Sequence, residues 1–286
     1  MRYRFLLLFL FVFSVSGCSK NVPDDPIDEK EKTDIEKIQE ADWETTEVKE
    51  GITWKYHHFR DLFKSRQSVT LFEIDLNEDL EIDIPYVNSG FLKTSDAAID
   101  ARAAIGFNGS FFSTSVGGST VFFKKEGEVI TETRKNFTPY RENGAIVISE
   151  DGEVSIAERP SNGWTSLDAY TALASGPLLI MDGKALDQKD EAFNRNRHPR
   201  TAVGLTADNR LLVFVVDGRA SEAHGMTIEE MTQLFQAFDC QLALNLDGGG
   251  SSTAWVRNRG VVNYPSDNKT FDHEGERGVA TVLVVK

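Results

Sequence analysis

The chain has 286 residues, a formal net charge of -14, and apolar (40%) and charged (27%) fractions ordinary for a folded protein. That combination bounds one moderate domain with a real core, plus extra segments. The acidic balance argues against nucleic acid as the main partner, because a phosphate backbone attracts clustered Lys and Arg.

The N-terminal stretch "MRYRFLLLFLFVFSVSGCSK" places Arg2 and Arg4 ahead of an apolar run from Phe5 to Phe13. The run is shorter than the about 20 residues that a membrane-spanning helix needs. It fits the apolar region of a secretory signal peptide. Val15-Ser16-Gly17-Cys18 resembles a bacterial lipobox, which makes residues 1–17 a lipoprotein signal peptide and Cys18 the lipidated residue. A plain signal peptide with a chance cysteine is the alternative. The lipobox reading implies a bacterial cell-envelope location, periplasmic or on the outer-membrane surface, with membrane contact through the anchor only. Residues 18–50 are rich in Asp, Glu and Lys and read as an acidic flexible tether, with a short helix around Thr33 to Glu40. Cys240 is then the one remaining cysteine, so no internal disulfide is expected. It reads as a small buried side chain at the end of a helix.

Residues 51–286 read as the folded domain, and their pattern is mostly strands. "SVTLFEIDL" and "LEIDIPYV" alternate apolar and polar residues at period two. "GAIVISEDGEVSIAE" predicts a hairpin turning at Asp151-Gly152, and "TAVGLTADNRLLVFVVDGR" a second turning near Asp208-Asn209. "STAWVRNRGVVNYP" predicts a third, and "GVATVLVVK" a closing apolar strand. Helices are expected over Thr94–Ala104 and Thr227–Asp239. In the second, Thr227 and Glu230 have capping-box spacing, and Ile228, Met231, Leu234, Phe235 and Phe238 form one apolar stripe. Hairpins with a few inserted helices imply an α+β fold with a mixed, largely antiparallel sheet core.

The chemistry concentrates at strand ends. In "NLDGGGSST" no lysine follows the glycines, so a nucleotide phosphate loop is excluded. The consecutive glycines also exclude GxGxxG, and no glycine stands two residues after a serine as a nucleophile elbow requires. What remains is a strand delivering Asn245 and Asp247 on one face, then Gly248 and Gly249, with hydroxyls from Ser251, Ser252 and Thr253. A glycine-rich bulge with solvated serines is the structural alternative. "RNRHPRTAVGL" adds Arg200, and "VVDGR" ends its strand on Asp217 and Arg219. The second hairpin should bring Arg200 opposite Asp217, and arginine suits phosphate or carboxylate through paired bonds. "AAIGFNGSFF" and "ALASGPLLIMDGK" supply two more Asn/Ser/Gly loops, the first carrying Asn108. Asp and Asn at strand ends are also ligands that a calcium ion takes, so calcium stays open as an occupant. No His/Cys spacing suggests zinc, and no cofactor is expected. His198 and His224 read as local hydrogen-bond partners.

"NGSFF", "SGPLLIMDG", "HPRTAVG", "VVDGR", "GMTIEEMTQLF", "ALNLDGGGSST", "VNYPSD" and "ERGVATVLVV" stand in an order that resembles the phosphodiester glycosidase family, over residues 89–286. The resemblance implies hydrolysis of a glycosyl-phosphodiester at the anomeric carbon. By motif match it implies a site of Asn108, Arg200, Asp217, Arg219, Asn245, Asp247, Gly248, Gly249, Ser251, Ser252, Thr253 and Arg277. Asp247 is expected as nucleophile or base, with Asp217 as a second carboxylate. Arg200 and Arg219 are expected on the phosphate, and Asn108 and Asn245 on sugar hydroxyls. Ser110 and Gly278 depart from the usual glycine and proline. "STSVGGSTVFFKK" matches weakly and is expected to shape the pocket. Sugar C–O cleavage builds positive charge that a carboxylate stabilises, and arginines suit a departing phosphate. Two other readings stay open: a carbohydrate-binding surface lipoprotein without catalysis, and a glycosidase whose arginines bind acidic sugars.

Overall fold

The alternating and continuous apolar runs become strands in three antiparallel sheets. A computed structural model describes residues 31–286. The signal peptide, Cys18 and the first part of the expected tether lie outside the described residues. Among the described residues, one sheet has eight strands and the other two have five each. The largest has Ser65–Asp75, Arg210–Val216, Arg200–Thr206 and Cys240–Asn245 side by side at its centre. A second sheet centres on Thr171–Ser175. The third centres on Ile105–Asn108, flanked by Ala254–Val256 and the closing strand Val282–Val285.

The central sheet is covered on both faces, which explains the unbroken run "LLVFVV". Successive side chains in a strand point to opposite faces. Leu211, Val213 and Val215 join one core with the other two sheets. Leu212, Phe214 and Val216 join a second core under helix Ile228–Ala237. Phe214 meets Phe235 of that helix edge to face, with ring centroids 5.0 Å apart. The helix begins as its sequence predicts: Glu230 N–H donates to Thr227 Oγ1 at 3.1 Å, and Thr227 N–H to the Glu230 carboxylate at 2.9 Å.

All three expected hairpins are present. Gly144–Ile148 pairs with Val154–Glu158, Arg200–Thr206 with Arg210–Val216, and Ala254–Val256 with Gly260–Val261. Helix Thr94–Asp100 covers most of the expected span. Cys240 opens a strand rather than closing a helix. Burial pushes its thiol up to about 12, as for an inert core side chain.

The expected tether is corrected at its C-terminal half. The short helix expected around Thr33 to Glu40 is present as Asp34–Gln39 with a complete Thr33/Glu36 capping box, but the segment is docked, and Glu44–Lys49 pairs with Ile52–Leu62. A few apolar residues suffice to dock this acidic segment. Ile38 is fully buried in the core under helix Ile228–Ala237, and Trp43 lies edge-on to Phe59 and Phe238. Ile38→Ala is expected to lower the unfolding free energy by about 2–5 kcal/mol, as buried aliphatic truncations do. Denaturant melts would check this, and an unchanged midpoint would return the segment to a tether.

Candidate active site

Two of the strand-end loops singled out by sequence, those of Asn108 and Asp247, are joined by one pin, the Asn108 side chain. Its side chain is fully buried at the end of Ile105–Asn108. Oδ1 accepts from Thr201 Oγ1 (2.7 Å) and from Thr253 N–H (3.1 Å). Nδ2 donates to the Asp247 carbonyl (2.7 Å) and to that of Gly109 (3.3 Å). Asp247 N–H in turn donates to the Gly109 carbonyl at 3.2 Å. Asn108 is thus committed to protein on every side, and the expectation that it binds a sugar hydroxyl is corrected. Asn245 is also fully buried, with Nδ2 donating to the carbonyls of Gly176 (2.9 Å) and Leu246 (2.7 Å). Those two bonds pin the same loop and leave Oδ1 without a protein partner.

Asp247 stays partly accessible at the head of the glycines. Burial pushes its carboxyl up to about 6, while Ser251, the Gly248 N–H and the Arg277 and Arg141 guanidiniums favour the charged form. Ser251 Oγ makes no hydrogen bond of good geometry, so its effect comes from proximity. Ser252 Oγ, Thr253 Oγ1 and Asn245 Oδ1 are likewise buried without a protein partner. The glycines serve close approach. A Cβ on Gly248 would lie 2.7 Å from the Pro199 carbonyl oxygen, and one on Gly249 2.8 Å from Arg219 Nη2. Gly249 also has φ of 64°, where a Cβ is strained. Gly250 faces Arg277 and Asp267.

The expected arginines divide. Arg219 is exposed, lies against Gly249 and makes no ion pair or side-chain hydrogen bond in the protein. Arg277 is paired with Asp267. Arg277 and Asp267 line a cleft of about 500 Å³ together with Phe91, Phe112, Thr114 and Gly278. Thr114 belongs to the weakly matching segment expected to shape the pocket. Arg200 is corrected. It is 1% exposed; Nε donates to the Met226 carbonyl (2.9 Å) and Nη2 to those of Phe193 (2.6 Å) and Asn196 (3.0 Å). It is a strut that holds the preceding loop. Burial, with the nearby Arg141 charge, pulls its pKa down to about 9, so it stays cationic near neutral pH.

Asp217 is corrected as well. It lies just beyond Val216, the register partner of Arg200, and is 1% exposed. Its carboxylate accepts from Ser68 Oγ (2.6 Å), Asn263 Nδ2 (2.9 Å) and Tyr264 N–H (2.8 Å). A carboxylate so enclosed organises its neighbours rather than reaching a substrate.

Two groups at the site carried no sequence signal. Arg141 sits in the short 3₁₀ turn Pro139–Arg141, in a stretch that reads only as a polar loop. Phe193 lies under two guanidiniums, with Arg141 Cζ 4.0 Å and Arg200 Cζ 4.7 Å from its ring centroid. His198 is half-buried. Burial, then the charges of Arg200, Arg219 and Arg141, lower its pKa, so it is neutral near pH 7. His224 is the local partner expected, with Nδ1 2.7 Å from Ser65 Oγ. Among the described residues no three His, Cys, Asp or Glu side chains are placed to hold a metal ion.

The sequence pattern of the phosphodiester glycosidase family matches residues 101–286. A mouse protein named N-acetylglucosamine-1-phosphodiester alpha-N-acetylglucosaminidase is 29% identical over 185 residues, covering 60% of this chain and 35% of that one. This chain therefore spans about a third of that relative's length. The solved catalytic domain of the zebrafish enzyme of the same name, auto-inhibited by its pro-peptide, superposes with a TM-score of 0.65 at 20% identity, over 80% of this chain and 81% of that one. A hypothetical protein from Synechocystis gives 0.64 at 14% identity, over 86% and 64%. At those identities the two solved structures speak to the fold.

Burial pushes the Asp217 carboxyl up to about 6, against the bonds from Ser68, Tyr264 and Asn263 that favour its charged form. A carboxyl with a raised folded-state pKa favours folding most below its unfolded value, about 4, and loses that contribution as pH rises through 6. Relative to Asp217→Asn, the wild type should therefore lose up to about 3 kcal/mol of stability between pH 4 and 7. Urea melts of both proteins across that range test this, and parallel curves would show no raised pKa.

Proposed function

The chain belongs to the phosphodiester glycosidase family, and from that premise we propose that it hydrolyses a glycosyl-phosphodiester at the anomeric carbon. Asp247 supplies the carboxylate that faces the anomeric carbon as positive charge builds on the ring. Arg219 holds the phosphate, and the Ser251–Thr253 hydroxyls lie around the same loop. A phosphate monoester leaves readily, so a second carboxylate acting as acid is not required. That agrees with an Asp217 sealed from the cleft. The sugar lies toward the Phe91, Phe112 and Asp267 cleft, where aromatic edges and a carboxylate suit a pyranose.

The observation that carries this reading is the unpaired Arg219 guanidinium against Gly249, two residues from Asp247. In a chain of net charge -14, an arginine at a carboxylate-bearing loop without an acidic partner is set for an anion from outside. A non-catalytic sugar-binding module, and a glycosidase for acidic sugars, predict different outcomes in one panel. Matched α-glycosyl-1-phosphodiesters and aryl glycosides are incubated with wild type and Asp247→Asn, and free sugar is measured. Release from the diesters should fall at least about 100-fold in the variant. In wild type, kcat/KM should fall as pH drops through about 6, where Asp247 takes its proton. Near-wild-type turnover by Asp247→Asn would sink the assignment.

We also propose the lipid-anchored cell-envelope placement that the Gly17-Cys18 motif supports. Expressed in a bacterium with labelled fatty acid, the full chain should incorporate label and Cys18→Ser should not. Equal labelling of both would refute the anchor at Cys18.

A further inference from the structure

Arg141 is the least explained cation at the site. It is half-buried and pairs with no carboxylate. Its one side-chain hydrogen bond runs from Nε to the Tyr140 hydroxyl at 3.4 Å, too long to hold it strongly. The guanidinium carbon instead lies over the Phe193 ring, 4.0 Å from its centroid, and the same ring carries Arg200. Arg141, Arg200, Arg219 and His198 thus crowd together, near enough to act on one another's charge, with Asp247 beside them. Glu230 is the carboxylate that offsets Arg200, and it is itself bonded to Arg197.

The backbone under Arg141 is held far more firmly than a surface arginine needs. The neighbouring Glu142 carboxylate is buried and accepts from Thr133 Oγ1, from Arg159 Nη1 (2.6 Å) and from Trp164 Nε1 (3.0 Å). Asn143 Oδ1 accepts from Leu178 N–H at 2.8 Å. Gly176 packs so closely that a Cβ there would lie 2.8 Å from the Arg141 carbonyl carbon. The Gly176 carbonyl also accepts from Asn245, two residues before Asp247. The loop that fixes Arg141 and the strand that fixes Asp247 therefore share one backbone contact. Such anchoring preorganises a charge at a defined distance from the reacting carboxylate.

We infer that Arg141 binds the substrate phosphate from the Phe193 side and sets the preference for phosphodiesters over uncharged glycosides. This rests on the glycosyl-phosphodiester reading above. Breaking the anomeric C–O bond sends its electron pair to the phosphate oxygen. Water supplies the hydroxyl to the anomeric carbon and releases a proton. The leaving monoester carries one more negative charge than the diester, so a cation fixed beside it binds the transition state more tightly than the substrate. The planar fork on Phe193 presents paired donors that a lysine lacks.

The test uses Arg141→Met, which keeps an apolar stem on Phe193, and Arg141→Lys. kcat/KM is measured on a glycosyl-1-phosphodiester and on the matched nitrophenyl glycoside, and inorganic phosphate binding is measured by calorimetry. Arg141→Met should lose roughly 10- to 100-fold on the diester and a similar factor in phosphate affinity, as for a hydrogen bond to a charged group. Assayed well above the Asp247 pKa of about 6, where that carboxylate is ionised with or without the Arg141 charge, it should stay within about threefold on the neutral glycoside, and Arg141→Lys should recover part of the loss. Equal losses on both substrates, or unchanged phosphate affinity, would overturn the role. If wild type releases no sugar from any diester, the broader reading fails. Phosphate affinity lost in Arg141→Met would then still place an anion on Arg141, and unchanged affinity would remove both.

Discussion

The geometry of the site depends on the hydrogen bonds of one neutral amide. Asn108 is fully buried and joins the third sheet to Thr201 of the central sheet and to both ends of the glycine loop. A neutral group suits the position. A charge there would be costly to bury, whereas an amide can satisfy donors and acceptors together. Asp247 is held at its carbonyl by Asn108 and at its N–H by Gly109, which fixes the main chain beneath its carboxylate.

Around that pin the charged residues separate by partner rather than by type. Asp217 and Asp247 both have raised pKa values because both are poorly solvated. One is enclosed by three donors and the other stays partly accessible. The arginines divide in the same way. Arg200 is spent on carbonyls and Arg277 on Asp267, while Arg219 makes no side-chain hydrogen bond in the protein and Arg141 makes only a long one to the Tyr140 hydroxyl. The result is a local cluster of cations inside a strongly acidic protein.

The sequence was most legible where the physics is local. The three hairpins follow from turn residues such as Asp151-Gly152 and Asn209, and the helix at Ile228–Ala237 from its capping box. The Asp247 loop was legible because glycines and hydroxyls cluster within a few positions. Long-range pairing was not. Asn108 meets Thr201 across 93 residues and Asp217 meets Ser68 across 149, so both looked like ligands when they are struts. Arg141 carried no pattern at all, since its meaning comes from Phe193 and from the anchoring of Glu142. The acidic stretch before residue 50 misled for a related reason: composition averages over Ile38 and Trp43, and those two side chains decide where the segment lies.

The strand Val282–Val285 is paired along its length with Ile105–Asn108, and Ser110 is bonded to Thr281 across 171 residues. This gives the site a place in time. At usual synthesis rates of about 5–20 residues per second, the strand that bears Asn108 waits on the order of ten seconds or more for its partner. During synthesis, Asn108 lies on a strand that still lacks one neighbour. The candidate site therefore lacks one wall until Val282–Val285 has been made, and a chain stopped short of that strand carries the residues of the site without its geometry.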